Sequence, residues 1–183
     1  CQGVGPLRLN EIRPGAAGEA QAVSGAALLG RTPVVFIASR LQASGGHTAL
    51  LADIARLLGR PSRVLLTGVG GATDLRSIQH RFAGVQDLHF EKAPAGQRLR
   101  KLDWLQQRLR EISPAEVWLF NHHQDSVAVA AVQADAGYAL KYVHHGDHHL
   151  CLGVTLAFGE HYDPHPMGFR NCRDVLKRAD NKY

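Results

Sequence analysis

The chain has 183 residues, 45% hydrophobic and 20% charged, which is ordinary for a soluble globular domain and enough to bury one core. No apolar run reaches the roughly 18 to 20 residues of a bilayer span, and the N-terminus lacks a basic-then-apolar secretory signal, so membrane-spanning and secreted classes are set aside. The formal net charge of +5 suits phosphate-bearing ligands, nucleic acid or an anionic membrane surface, and equally a plain solvated basic surface.

Residues 1–31 carry Gly and Ala with little pattern and read as an inter-domain lead-in, apart from a helical turn or two between Ala20 and Leu29. From Thr32 onward, apolar runs alternate with helix-period segments, the signature of βαβ units and a parallel sheet. The first strand is Val34 to Ala38. After Gln42-Ala43-Ser44-Gly45-Gly46 comes a helix with Leu50, Leu51, Ile54, Leu57 and Leu58 at three-four spacing. Val64 to Leu66 is a second strand, and Thr73 to Phe82 a second helix that Thr73 or Asp74 caps. Val85 to Phe90 is a third strand. Gln97 to Ile112 is a third helix with a buried stripe of Leu99, Leu102, Leu105 and Leu109, and its Arg98, Arg100, Lys101, Arg108 and Arg110 read as an exposed face rather than a nucleic-acid patch. Val117 to Phe120 is a fourth strand, Ser126 to Val132 a helix, and Ala139 to Val143 a fifth strand. Short helices from about His148 to Leu156 and from Met167 to Leu176 close a domain over 32–183. The expected fold is α/β, a three-layer, doubly wound parallel sheet of Rossmann-like type.

Three strand ends carry the unusual residues: Ser44-Gly45-Gly46-His47, Asn121-His122-His123-Gln124-Asp125, and His144-His145-Gly146-Asp147-His148-His149. Parallel strands joined by right-handed crossovers put their carboxyl ends on one edge, so these loops share a rim where ligands bind. Glycine at 45 and 46 lets backbone approach a ligand, and the helix N-terminus offers unpaired N–H groups, although the segment is neither GxGxxG nor a Walker loop. The histidine run suits general acid/base or polar contact with a substrate hydroxyl, chiefly through His145 and Asp147. A metal reading of the run lacks HExxH spacing, and no metal ligand is assigned. Asp147-His148-His149 repeats the tripeptide through which DHH phosphoesterases bind manganese, but the other acidic ligands of that family are missing. Cys1, Cys151 and Cys172 are an odd, scattered set without CxxC spacing. They indicate neither a disulfide framework nor a cysteine zinc site, only packing in a reducing cytoplasm.

From Thr32 to Arg173 the pattern resembles the N-terminal, acceptor-side half of GT-B glycosyltransferases, retaining ones in particular. The resemblance rests on Ser44-Gly45-Gly46-His47-Thr48-Ala49-Leu50-Leu51 after the first strand and Val143-His144-His145-Gly146-Asp147 after the fifth. It implies an inter-domain cleft in which His145 and Asp147 are catalytic, and Gly45, Gly46, His47, Asn121, His122 and His144 bind substrate. It implies a nucleotide-sugar co-substrate, no other cofactor, and a sugar or lipid-linked acceptor. In that family a second Rossmann-like domain holds the nucleotide. The Cys start, with Met167 the only methionine, reads together with this as a fragment of a longer enzyme, inactive when isolated. The alternatives are a metal-dependent phosphoesterase or hydrolase using the histidine run, and a non-catalytic binding domain.

Overall fold

A run such as Val34-Val35-Phe36-Ile37-Ala38 has no polar residue at either parity, so a strand made from it must be covered on both faces. That condition is met in the computed structural model, which describes residues 32–146 and 149–183. The lead-in over 1–31, Asp147 and His148 lie outside the described residues. In chain order the elements are β1 (Val34–Ala38), α1 (Gly46–Leu58), β2 (Ser62–Leu66), α2 (Leu75–Ile78, continued by a 3₁₀ turn over Gln79–Phe82), β3 (Leu88–Lys92), α3 (Arg98–Ile112), β4 (Glu116–Phe120), α4 (Ser126–Ala131), β5 (Ala139–Val143), a 3₁₀ turn over Leu152–Thr155, β6 (Glu160–Tyr162) and α5 (Pro166–Asp174). The sheet is parallel throughout, in the order β3-β2-β1-β4-β5-β6. This is the doubly wound, Rossmann-like α/β fold.

Strand alternation divides the core into two layers. Val34, Phe36, Ala38, Val64, Leu66, Trp118, Phe120 and Val143 face α1 and α2, packing on Leu51, Ala52, Ala55, Ile78 and Phe82. Val35, Ile37, Leu65, Val117, Leu119, Leu140 and Tyr142 face the other helices and meet Leu105, Leu109, Val127, Ala128 and Cys172. The chain winds outward through β2 and β3, crosses back over the second layer as α3, and winds the other way from β4. The direction reverses between β1 and β4, and crevices for ligands open at such a reversal.

Several sequence expectations are corrected. Helix α1 buries Thr48, Leu51, Ala52 and Ala55, whereas Leu57 is 86% exposed, because small residues set the line of close approach to the sheet. In α3 the buried residues are Leu105 and Leu109; Leu99, in the first turn, is 70% exposed. Strand β3 starts at Leu88, not Val85, since Gly84 and Asp87 both take positive φ and prolong the turn until pairing with β2 begins at Ser62. The expected helix over 148–156 is only the 3₁₀ turn in its described part. The sixth strand is an addition: three residues hold only one apolar side chain and show no alternation to read. Of the expected caps, Asp74 accepts from Arg76 N, while Thr73 Oγ1 accepts from Leu41 N instead. No helix among the described residues is long and apolar enough to cross a membrane.

Candidate functional site

The loops after β1, β4 and β5 meet at the reversal point and enclose a cleft of about 350 Å³. Gly45, Gly46, His47, Asn121, His122 and His145 line it, with Arg40, His123 and His149 around them. The two glycines differ. Gly45 sits at φ 121° and ψ 149°, a conformation essentially closed to side-chain-bearing residues, and it turns the chain into α1. Gly46 lies against the His145 ring, whose Cε1 is 3.4 Å from where a Cβ would stand, an ordinary contact distance. The loop itself is pinned where Gln42 N donates to Thr48 Oγ1 at 3.0 Å and Arg81 Nε to Ala43 O at 3.1 Å.

Imidazoles form most of one wall. The His47 ring lies 5.1 Å from His145 and 5.5 Å from Phe120, centroid to centroid, and His145 lies 5.3 Å from His165. Burial, then the neighbouring His145, lower the pKa of His47 from 6.5 to about 4, so it is neutral at physiological pH. His122 is shifted the same way by burial, then by His123 and Arg40. His47 and His122 therefore add no fixed charge beside that of Arg40, and neutral imidazoles offer both donor and acceptor nitrogens. Asn121 is 3% exposed; its Nδ2 donates to His122 O at 3.0 Å, while its buried Oδ1 has no hydrogen-bond partner among the described residues.

Under the cleft, Asp125 joins three strand ends. Its Oδ1 accepts from Val127 N and Ala128 N at 3.0 Å, capping α4. Its Oδ2 accepts from Ser39 Oγ at 2.6 Å and Thr67 Oγ1 at 2.5 Å, and Ser39 Oγ in turn accepts from His122 N at 2.6 Å. A fully buried carboxylate with four donors is a structural joint, and it holds the β4 loop in register with β1 and β2.

The described part of the histidine run divides between two places. Val143 packs against the α1 layer, so His144 continues the Tyr142 side and His145 returns to the α1 side above Gly46. His144 is 1% exposed and does not line the cleft. It meets His161 of β6, Asp163 immediately after that strand, and Cys172 of α5. His144 Nδ1 and Asp163 Oδ1 are 2.7 Å apart, His144 Nδ1 and Cys172 Sγ 3.4 Å, and Asn181 Nδ2 donates to Asp163 Oδ2 at 2.7 Å. Burial is the largest influence on both His144 and Asp163 and disfavours charge on each, but it is outweighed by their mutual hydrogen bond together with Cys151 and His149 O beside the imidazole and His161 and Asn181 beside the carboxylate, which hold the imidazole up to about 9 and the carboxyl well below its usual range.

The structure thus brings Gly45, Gly46, His47, Asn121, His122 and His145 together and places His144 elsewhere, while Asp147 lies outside the described residues. Sequence reasoning did not single out Arg40, His161 or the structural role of Asp125. The Asp125-Ser126 pair ahead of an Ala/Val run is a capping signal that could have identified the last of these. His161 lies in the unread sixth strand and left none. The chain matches no protein-family model and no curated protein.

Proposed function

We propose that this domain is the acceptor-binding half of a GT-B-type glycosyltransferase of the cytoplasm, which transfers a sugar from a nucleotide-sugar donor held by a second Rossmann-like domain. The observation that carries the reading is the cleft wall at the sheet reversal: neutral imidazoles, a glycine backbone and the unsatisfied Asn121 Oδ1. Such a wall suits a ligand rich in hydroxyls, because each hydroxyl both donates and accepts. A phosphate would instead favour several fixed cations.

In this reading the acceptor, a sugar or a lipid-linked sugar, places a hydroxyl on Asn121 Oδ1. His145, held against Gly46, contacts the reacting sugar, and His122 and Asp147 orient the acceptor. The N–H groups at the start of α1 face the donor side, where the positive end of a 13-residue helix favours the diphosphate.

Histidine imidazole resonances of the chain, followed during titration with mono- and disaccharides and separately with nucleoside diphosphates, provide the test. Saccharides are expected to shift His47, His122 and His145, with nucleotides weak. Asn121→Ala or His145→Ala should weaken the saccharide response by about tenfold, the worth of one or two good hydrogen bonds. Saturable nucleotide binding with no saccharide response would replace this reading with a nucleotide-binding domain.

A further inference from the structure

We propose that His144, His161, Asp163 and Cys172 form a structural zinc site between β5, β6 and α5. This inference does not depend on what the cleft binds. Two imidazoles, a carboxylate and a thiol are a donor set that zinc accepts, and four protein ligands leave no open position.

The geometry supports it independently of composition. Zinc–ligand bonds of about 2.0–2.3 Å in a tetrahedron put neighbouring ligand atoms roughly 3.3–3.6 Å apart. One ligand atom from each residue lies within 4.8 Å of all the others, and His144 Nδ1 is 3.4 Å from Cys172 Sγ, the separation that a tetrahedral site requires; the two oxygens of Asp163 lie on either side, Oδ1 2.7 Å from His144 Nδ1 and Oδ2 3.2 Å from His161 Nε2, so either one reaches the same centre. All four residues are buried. They come together because Tyr142 pairs with His161 across β5 and β6, which places His144 and His161 on one sheet face under α5, with Asp163 immediately after β6.

Two further observations point to a ligand. His161 is 1% exposed, and neither ring nitrogen has a hydrogen-bond partner among the described residues; Nε2 is 3.2 Å from Asp163 Oδ2 but misaligned for a bond. A buried imidazole left in this way costs free energy that a metal bond at Nε2 removes. The supports of a metal site are also in place. His144 turns Nδ1 inward while Nε2 meets His149 O at 3.2 Å, and Asn181 bridges Asp163 Oδ2 and Phe169 O. Orienting contacts of this kind accompany metal-bound histidine and carboxylate. Gly168 closes the site: a Cβ there would stand 3.0 Å from Gly146 O and 3.5 Å from both Asp163 Oδ1 and His144 Nδ1.

Binding converts the Cys172 thiol to thiolate and releases its proton, together with the proton between His144 and Asp163; nothing is oxidised or reduced. The consequence is structural. The metal clamps β6 and α5 to His144, the residue immediately before His145 in the cleft.

The whole chain, freed of metal by dialysis against chelator, is titrated with zinc and with cobalt(II) as the spectroscopic probe. We expect stoichiometric binding, a higher Tm with zinc, and a cobalt spectrum with tetrahedral ligand-field bands and a thiolate charge-transfer band. Cys172→Ser should abolish the charge-transfer band and Cys151→Ser should keep it. Asn181→Ala, which removes support from Asp163, should weaken affinity by about 10- to 100-fold. No binding, a six-coordinate cobalt spectrum without the thiolate band, or a band that survives Cys172→Ser would each overturn the proposal. Should Cys172→Ser not fold, the parent spectrum and the Cys151→Ser control decide, since loss of the band in the latter assigns the thiolate to the wrong cysteine.

Discussion

Asp125 shows how one side chain sets the geometry of a site that it does not line. Two backbone donors and two hydroxyls depend on it, all buried. Asp125→Ala should destabilise the fold by about 2–4 kcal/mol, combining a lost helix cap with two orphaned hydroxyls, and denaturant unfolding measures this directly. A loss below about 1 kcal/mol, the worth of the cap alone, would mean that the hydroxyls find other partners. His47 supplies a pH dependence. Its pKa of about 4 in the folded chain, lowered by burial and then by His145, lies below the ordinary 6.5, so the unfolded chain takes up the proton first. Its stabilising contribution is complete above the unfolded value and is lost as the pH falls through the folded one. Unfolding midpoints measured across that window should fall less steeply for His47→Gln than for the parent chain; equal slopes would remove His47 as the cause.

At the scale of elements, the entry to α1 decides the shape of the cleft. Gly45→Ala should cost about 1–3 kcal/mol, because the required φ and ψ are closed to alanine. Gly46→Ala should leave stability nearly unchanged, alanine being the better helix former and its Cβ meeting the His145 ring at 3.4 Å, an ordinary contact. Chemical denaturation separates the two variants, and an unmoved His145 resonance in Gly46→Ala confirms that the added methyl is accommodated. The element boundaries show what was readable. Strands β1 and β5 fall where the apolar runs predict: β1 is uninterrupted Val34 to Ala38, and in β5 only Lys141 breaks the run, lying among Leu140, Tyr142 and Val143. Helix α1 also forms where expected, yet its buried face was misjudged, because leucine at three-four spacing does not say which leucines a sheet can approach closely. The three residues of β6 were missed, and with them His161.

At the scale of the molecule, the sheet is shared by two cores with a tryptophan in each: Trp118 toward α1 and Trp104 on α3 in the opposite layer. Variants Trp104→Phe and Trp118→Phe therefore report the layers separately. Their fluorescence transitions in denaturant should coincide with each other and with far-UV circular dichroism, because neither layer can lose its helices and keep the strands buried. Separate midpoints would show that the layers unfold independently. The local pattern of residues was enough to determine the parallel α/β class and the meeting of three loops on one rim, because apolar periodicity and crossover handedness are properties of short segments. Only the tertiary structure decided how the adjacent histidines divide. His145 faces the cleft and His144 the buried cluster, because strand alternation sends neighbours to opposite faces and the register that sets the parity comes from packing across the sheet. The same register brings His144, His161, Asp163 and Cys172 together from distant points in the chain, a proximity that no spacing within the sequence encodes.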